Sequence, residues 1–142
     1  MSSSTSKPGA RRIACLLLGV AFMAGCERAP QISPQAIATR NAPPERMFKG
    51  TLAGQPAHFV VDACEVFRVR HMRGDEVEWT SVLAPEPYPF FTGCERQSLS
   101  FDAAEGVLTA TLGRRAFGAG GCCATGGTYR TTDGLVWKRT GH

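Results

Sequence analysis

The chain has 142 residues, of which 43% are hydrophobic, and its 16 Lys and Arg against 12 Asp and Glu give a formal net charge of +4. That length holds one small domain and one core. The positive balance is local: Lys7, Arg11 and Arg12 sit in an amino-terminal stretch without acids, and beyond it 13 basic residues face 12 acidic ones, a charge near +1 that excludes an electrostatic footprint for nucleic acid.

The amino end has the organisation of an export signal. A positive n-region is followed by an apolar run, Ile13 to Met23, too short to span a bilayer, and then by small residues. The segment closes with Met23-Ala24-Gly25-Cys26. This resembles the lipobox of bacterial lipoproteins, an apolar residue and two small ones before a cysteine that receives diacylglycerol and becomes the first residue of the mature chain. The resemblance implies a signal peptide over residues 1–25, lipidation at Cys26 and attachment to a membrane without crossing it. Glu27 would follow the lipidated cysteine, where the family's inner-membrane retention signal is typically Asp. The expected location is therefore the outer membrane, facing the periplasm.

Residues 26–45 contain Pro30, Pro34, Pro43 and Pro44 among Gln, Ala, Ser and Thr, with no apolar period. They read as an extended, mobile tether, with the folded domain over residues 46–142.

In the domain the apolar period is two. Met47 to Leu52 and Ala57 to Asp62 flank Ala53-Gly54-Gln55-Pro56 and predict a first hairpin. Phe67 to Met72 and Val77 to Ser81 flank Arg73-Gly74-Asp75 and predict a second, with Arg68 and Arg70 facing Glu76 and Glu78 across it. Leu99 and Phe101 with Val107 to Leu112 predict a third, and Thr128 to Thr132 with Leu135 to Arg139 around Asp133-Gly134 a fourth. No window of the mature chain shows a 3.6-residue period. The expected fold is all-β: a small antiparallel barrel or sandwich of about seven or eight strands, stapled by disulfides. Between the second and third hairpins, Pro85, Pro87 and Pro89 predict a stiff loop whose rings, Tyr88, Phe90 and Phe91, cap the end of the core beside Cys94.

Four cysteines remain after export and lipidation: Cys64, Cys94, Cys122 and Cys123. An even number in an oxidising compartment reads as a disulfide framework. Because neighbours in sequence rarely bridge, Cys64 and Cys94 are each expected to reach one of Cys122 and Cys123.

There is no Cys-x-x-Cys, and His71 and Met72 point to opposite faces of a strand, so neither metal nor other cofactor is expected. A Gly-x-Ser-x-Gly elbow and a zincin helix are both missing, and His58, His71 and His142 have no nucleophile partner at a recognisable spacing. The chain reads as a binding protein and not as an enzyme.

The stretch from Gly118 to Arg130 concentrates five glycines and two cysteines, a backbone suited to close approach by a partner. Within it, Thr125-Gly126-Gly127-Thr128-Tyr129 is similar to the Ser-Gly-x-x-Tyr motif of the periplasmic and lipid-anchored inhibitors of c-type lysozymes. In that family the motif enters the lysozyme cleft from a loop of a small antiparallel barrel. The resemblance implies a protein partner, with Thr125 meeting the catalytic carboxylates, Gly126 and Gly127 allowing close approach, Tyr129 buttressing the loop and Lys138 supplying charge. A second resemblance uses the same residues. Gly121-Cys122-x4-Gly127-x-Tyr129, followed by Leu135, is similar to the Gly-Cys-Asn-x3-Gly-x-Tyr signature of the META domain of envelope lipoproteins, with Cys123 in place of the asparagine. It implies that Cys122 and the glycines are structural and that the protein is an envelope module without inhibitory activity.

Overall fold

The computed structural model describes residues 31–118 and 122–141. The signal segment 1–25, Cys26 and the centre of the glycine-rich loop lie outside them.

Eight strands form two antiparallel sheets of four, each a simple meander. The first contains β1 (Met47–Leu52), β2 (Gln55–Asp62), β3 (Glu65–His71) and β4 (Val77–Leu83); the second contains β5 (Thr92–Asp102), β6 (Val107–Ala116), β7 (Thr125–Thr131) and β8 (Lys138–Gly141). The sheets do not close on one another, so of the two expected architectures the fold is the sandwich. Phe48, Leu52, Phe59, Val61 and Val66 from the first sheet meet Leu99, Leu108, Ala110, Leu112 and Tyr129 from the second. These positions alternate along their strands, which carries every second side chain into the space between the sheets.

The hairpin turns follow from local chemistry. Ala53 and Gly54 both have positive φ, 49° and 77°, and join β1 to β2 as a two-residue connection whose twist suits the flanking strands. The next connection, Ala63 and Cys64, repeats that geometry with φ of 48° and 61°. At the last one, β7 to β8, the Asp133 carboxylate accepts the backbone N–H groups of Leu135 at 2.8 Å and Val136 at 3.0 Å. Hydrogen bonds from Val136 first and Leu135 second hold that carboxyl below its ordinary pKa.

Part of the segment expected to be a tether is instead folded. Ser33 caps α1 (Pro34–Asn41), its Oγ accepting the Ala36 N–H at 3.1 Å, and Pro34 occupies the first turn. The helix lies on the outer face of the first sheet, where Ala36 joins Val60, Val69 and Val77. Trp79 Nε1 donates to Thr39 Oγ1 at 2.9 Å, and Ser33 N–H donates to Glu76 at 2.9 Å. Sheet and helix together explain why His58, Phe59, Val60 and Val61 are buried in succession along β2: one face meets the second sheet and the other is covered.

The disulfide pairing also differs from expectation. Cys64 is bonded to Cys94, with Cα atoms 5.4 Å apart, and Cys122 to Cys123. Packing of the sheets brings the β2–β3 turn against the start of β5, so Cys64 and Cys94 satisfy each other. Of the expected cross-strand charges, Arg70 pairs with Glu78 in register. Arg68 turns inward, lying over the Phe59 ring and donating to the Gly134 carbonyl at 2.9 Å.

Candidate functional site

A cleft of about 600 Å³ opens beside the start of β7, its walls including Glu86, Arg96, Leu112, Thr125, Tyr129 and Arg139. Four of the five expected binding residues, Thr125, Gly126, Gly127 and Tyr129, line it. The structure thus gathers the glycine-rich motif into one concave surface.

The local fold dictates how each is presented. Ala124 N–H donates to the Arg114 carbonyl at 2.7 Å, and from Thr125 onward the chain is strand, paired residue by residue with β6. Gly126 and Gly127 have φ of +118° and +149°; a Cβ on Gly126 would collide with the Leu112 carbonyl, and one on Gly127 with the Gly141 carbonyl. Glycine is therefore required there by the β6–β7 and β7–β8 contacts themselves. Tyr129 is a core residue, packed with Leu108, Ala110 and Leu112.

Thr125 is not at a loop tip. It is the first residue of β7, opposite Arg114, and its Oγ1 is shielded from solvent with no hydrogen-bond partner among the described residues.

Lys138 is placed elsewhere. It is exposed and borders a separate depression with Glu105, Arg130 and Asp133. Its neighbour Arg139 enters the cleft, where Nη2 donates to the Gly126 carbonyl at 2.6 Å. The register shifts between Thr128 and Tyr129, so that Arg139 stands opposite Tyr129 and Lys138 opposite Arg130. Adjacent strand residues point to opposite faces, and this register selects arginine for the cleft. Arg96 was not marked by any motif. It projects from β5 into the cleft and has no carboxylate partner among the described residues.

Two of the three rings of the proline-rich loop, Phe90 and Phe91, do not cap the core. Phe90 is 71% and Phe91 89% exposed, and Phe117, paired to Phe91 through its backbone, is 69% exposed, whereas Tyr88 is half-buried with its ring 5.9 Å from that of Phe90. Among the described residues no group of three or more His, Cys, Asp or Glu is arranged to hold a metal ion, and no helix is long and apolar enough to cross a membrane.

Comparison with protein families, curated proteins and solved structures finds no match to this chain. What fold and site define is a small two-sheet β-sandwich with a polar, arginine-bearing cleft at one end.

Proposed function

We propose that this is a lipid-anchored, periplasm-facing protein of the outer membrane that binds a protein partner through the cleft at the start of β7, and that the partner's contribution is a carboxylate. The observation that carries the reading is Arg96, which lines a concave, polar surface whose other charged wall residues, among those described, are Arg139 and Glu86. Guanidinium groups recognise carboxylates with defined geometry, and a cleft concentrates their field. Muramidase inhibition is the concrete version of this reading, since the active site of a c-type lysozyme offers carboxylates in a groove and the motif residues lie at the cleft.

The test is an inhibition assay of the exported chain carrying Cys26→Ser against c-type, i-type and g-type lysozymes. Inhibition at about micromolar concentration, weakened about tenfold or more by Arg139→Ala, is the expected result. Absence of inhibition of all three enzymes ends the muramidase version. The anchor is tested separately: processing should be blocked by globomycin and lipid labelling lost in Cys26→Ser.

Two observations favour the META-like reading in its place: the glycines of the motif are required sterically by neighbouring strands, and the Thr125 hydroxyl is shielded. Under that reading the protein is a structural or stress-related envelope module, and the same assay shows a folded protein with no inhibitory activity.

A further inference from the structure

The two disulfides stand in different relations to the fold. Cys64–Cys94 closes a loop across a sequence separation of 30 residues and joins one sheet to the other, whereas Cys122–Cys123 joins neighbours and closes no loop. A fold favours a disulfide by as much as the disulfide favours the fold, so the sandwich holds the first bond oxidised and leaves the second able to open and close. Access differs in the same sense: Cys64 is fully buried, while Cys122 is half-buried and Cys123 exposed.

The second bond lies in the wall of the cleft, whose charged residues among those described are Glu86, Arg96 and Arg139. Gly113 of β6 makes room for it. An added Cβ on Gly113 would collide with Cys123 Sγ and stand 3.4 Å from both Cys122 Sγ and the Cβ of Arg96, the residue paired with Gly113 across the β5–β6 ladder. Both sulfurs and the stem of Arg96 therefore meet at one point on one side of the sheet. Arg139 donates to the Gly126 carbonyl, and Arg96 has no carboxylate partner among the described residues. A cation beside a sulfur favours its thiolate form, which makes that sulfur a better leaving group and its thiol more acidic.

We infer that Cys122–Cys123 is a thiol–disulfide exchange site that takes two electrons from a dithiol-bearing polypeptide in the cleft, with Arg96 as the cation beside the sulfur that leaves. A thiolate of the partner attacks the exposed Cys123 Sγ, the bond between the two sulfurs breaks, and its electron pair departs on Cys122 Sγ. The partner's second thiolate then attacks the partner sulfur of the mixed disulfide and releases Cys123 as a thiolate. The partner leaves as a disulfide, and the two protons its thiols lost are balanced by those that Cys122 and Cys123 take up. The buried Cys64, whose Sγ lies 3.2 Å from the carbonyl oxygens of Arg96 and Gly113, keeps its bond to Cys94, so the sandwich is unchanged through the cycle. The inference goes beyond the carboxylate-binding reading of the cleft and rests on the export of the chain to a compartment where disulfides persist.

The experiment exposes the exported chain carrying Cys26→Ser to graded dithiothreitol, assigns each cysteine by alkylation and peptide mass mapping, and follows the fold by circular dichroism. Cys122–Cys123 is expected to open about tenfold or more faster than Cys64–Cys94, with the spectrum unchanged. A synthetic peptide with two thiols should be oxidised mole for mole, and in Cys122→Ser the remaining Cys123 thiol should trap the peptide's disulfide form as a mixed disulfide. Arg96→Gln should slow the peptide reaction and, in the Cys122→Ser background, move the pH profile of Cys123 alkylation to higher pH; Arg96→Lys should restore both. Equal opening rates of the two disulfides, free thiols at Cys122 and Cys123 in periplasm-derived protein, or a lost spectrum on selective reduction overturn the inference. So does an unchanged pH profile in Arg96→Gln. Absence of lysozyme inhibition with exchange intact ends the muramidase reading alone, and an inert Cys122–Cys123 bond with inhibition intact ends the exchange site alone.

Discussion

Cys64 and Cys94, whose Cα atoms are 5.4 Å apart, join the β2–β3 turn of one sheet to the first residues of the other. Their bond closes a loop across a sequence separation of 30 residues, for which the chain-entropy argument gives about 3 to 4 kcal/mol. The double variant Cys64→Ala/Cys94→Ala should therefore lower the urea-unfolding free energy by about that amount. Replacing Cys122 and Cys123 by serine opens no such loop and should cost less than about 1 kcal/mol. Equal losses in the two variants would contradict this division.

A pH dependence follows from a histidine pair. His58 Nδ1 lies 2.9 Å from His71 Nε2, while His58 Nε2 is buried with no partner among the described residues. Burial first, then His71 and Lys49, push the His58 pKa down to about 4 from 6.5. The unfolded chain then binds the additional proton between these values, so this contribution to stability is complete above pH 6.5 and is lost as pH falls toward 4. The loss should be on the order of 1 to 3 kcal/mol. His58→Gln should flatten the difference in unfolding free energy between about pH 7 and pH 4.5, and an unchanged slope would assign the acid sensitivity to other groups.

Gly126 is a third test. Its φ of +118° and the closeness of the Leu112 carbonyl leave no space for a methyl group. Gly126→Ala should destabilise by about 2 kcal/mol or more, with faster hydrogen exchange along β6 and β7. A near-neutral effect would mean that this part of the ladder relaxes freely.

The docking of α1 is measurable at the hydrogen bond between Thr39 and Trp79. Thr39→Ala removes the acceptor of the Trp79 indole N–H and leaves that half-buried donor unpaired. The expected cost is about 1 to 2 kcal/mol, with altered Trp79 fluorescence. Thr39→Ser keeps the hydroxyl and should recover most of it. If neither variant changes the unfolding midpoint, the helix adds nothing to the domain.

The two neighbouring cations of β8 should behave differently. Arg139 reaches the cleft and the Gly126 carbonyl, whereas Lys138 borders the other depression. In any binding assay through the cleft, Arg139→Ala should weaken affinity about tenfold or more while Lys138→Ala stays within about twofold. The reverse order would mean that the partner docks on the opposite face of the sheet.

Local chemistry made most of the frame legible. Two-residue alternation around Phe59, Val69, Leu99 and Leu108, with Ala53-Gly54, Gly74 and Gly106 between runs, leads to antiparallel hairpins because side chains alternate across a strand and these turns need positive φ. The signature of α1, Ser33 followed by Pro34, was equally local, but a helix that buries only Ala36 and Thr39 has no apolar period to reveal it. Motif spacing likewise led to Thr125 and its neighbours, which do line the cleft.

Other features depend on which surfaces meet. Cys64 found Cys94 because face-to-face packing of two sheets brought a turn against a strand end, a long-range event that spacing does not encode. Arg139 replaced Lys138 in the cleft because one irregularity opposite Tyr129 decided which face each side chain took. Phe90 and Phe91 remained outside while Pro85 of the same loop is buried. The sequence by itself determined the strands and their turns, since these rest on contacts a few residues apart. Only the tertiary structure decided the disulfide partners, the cation in the cleft and the exposed aromatic face, since each results from the packing of elements distant in the chain.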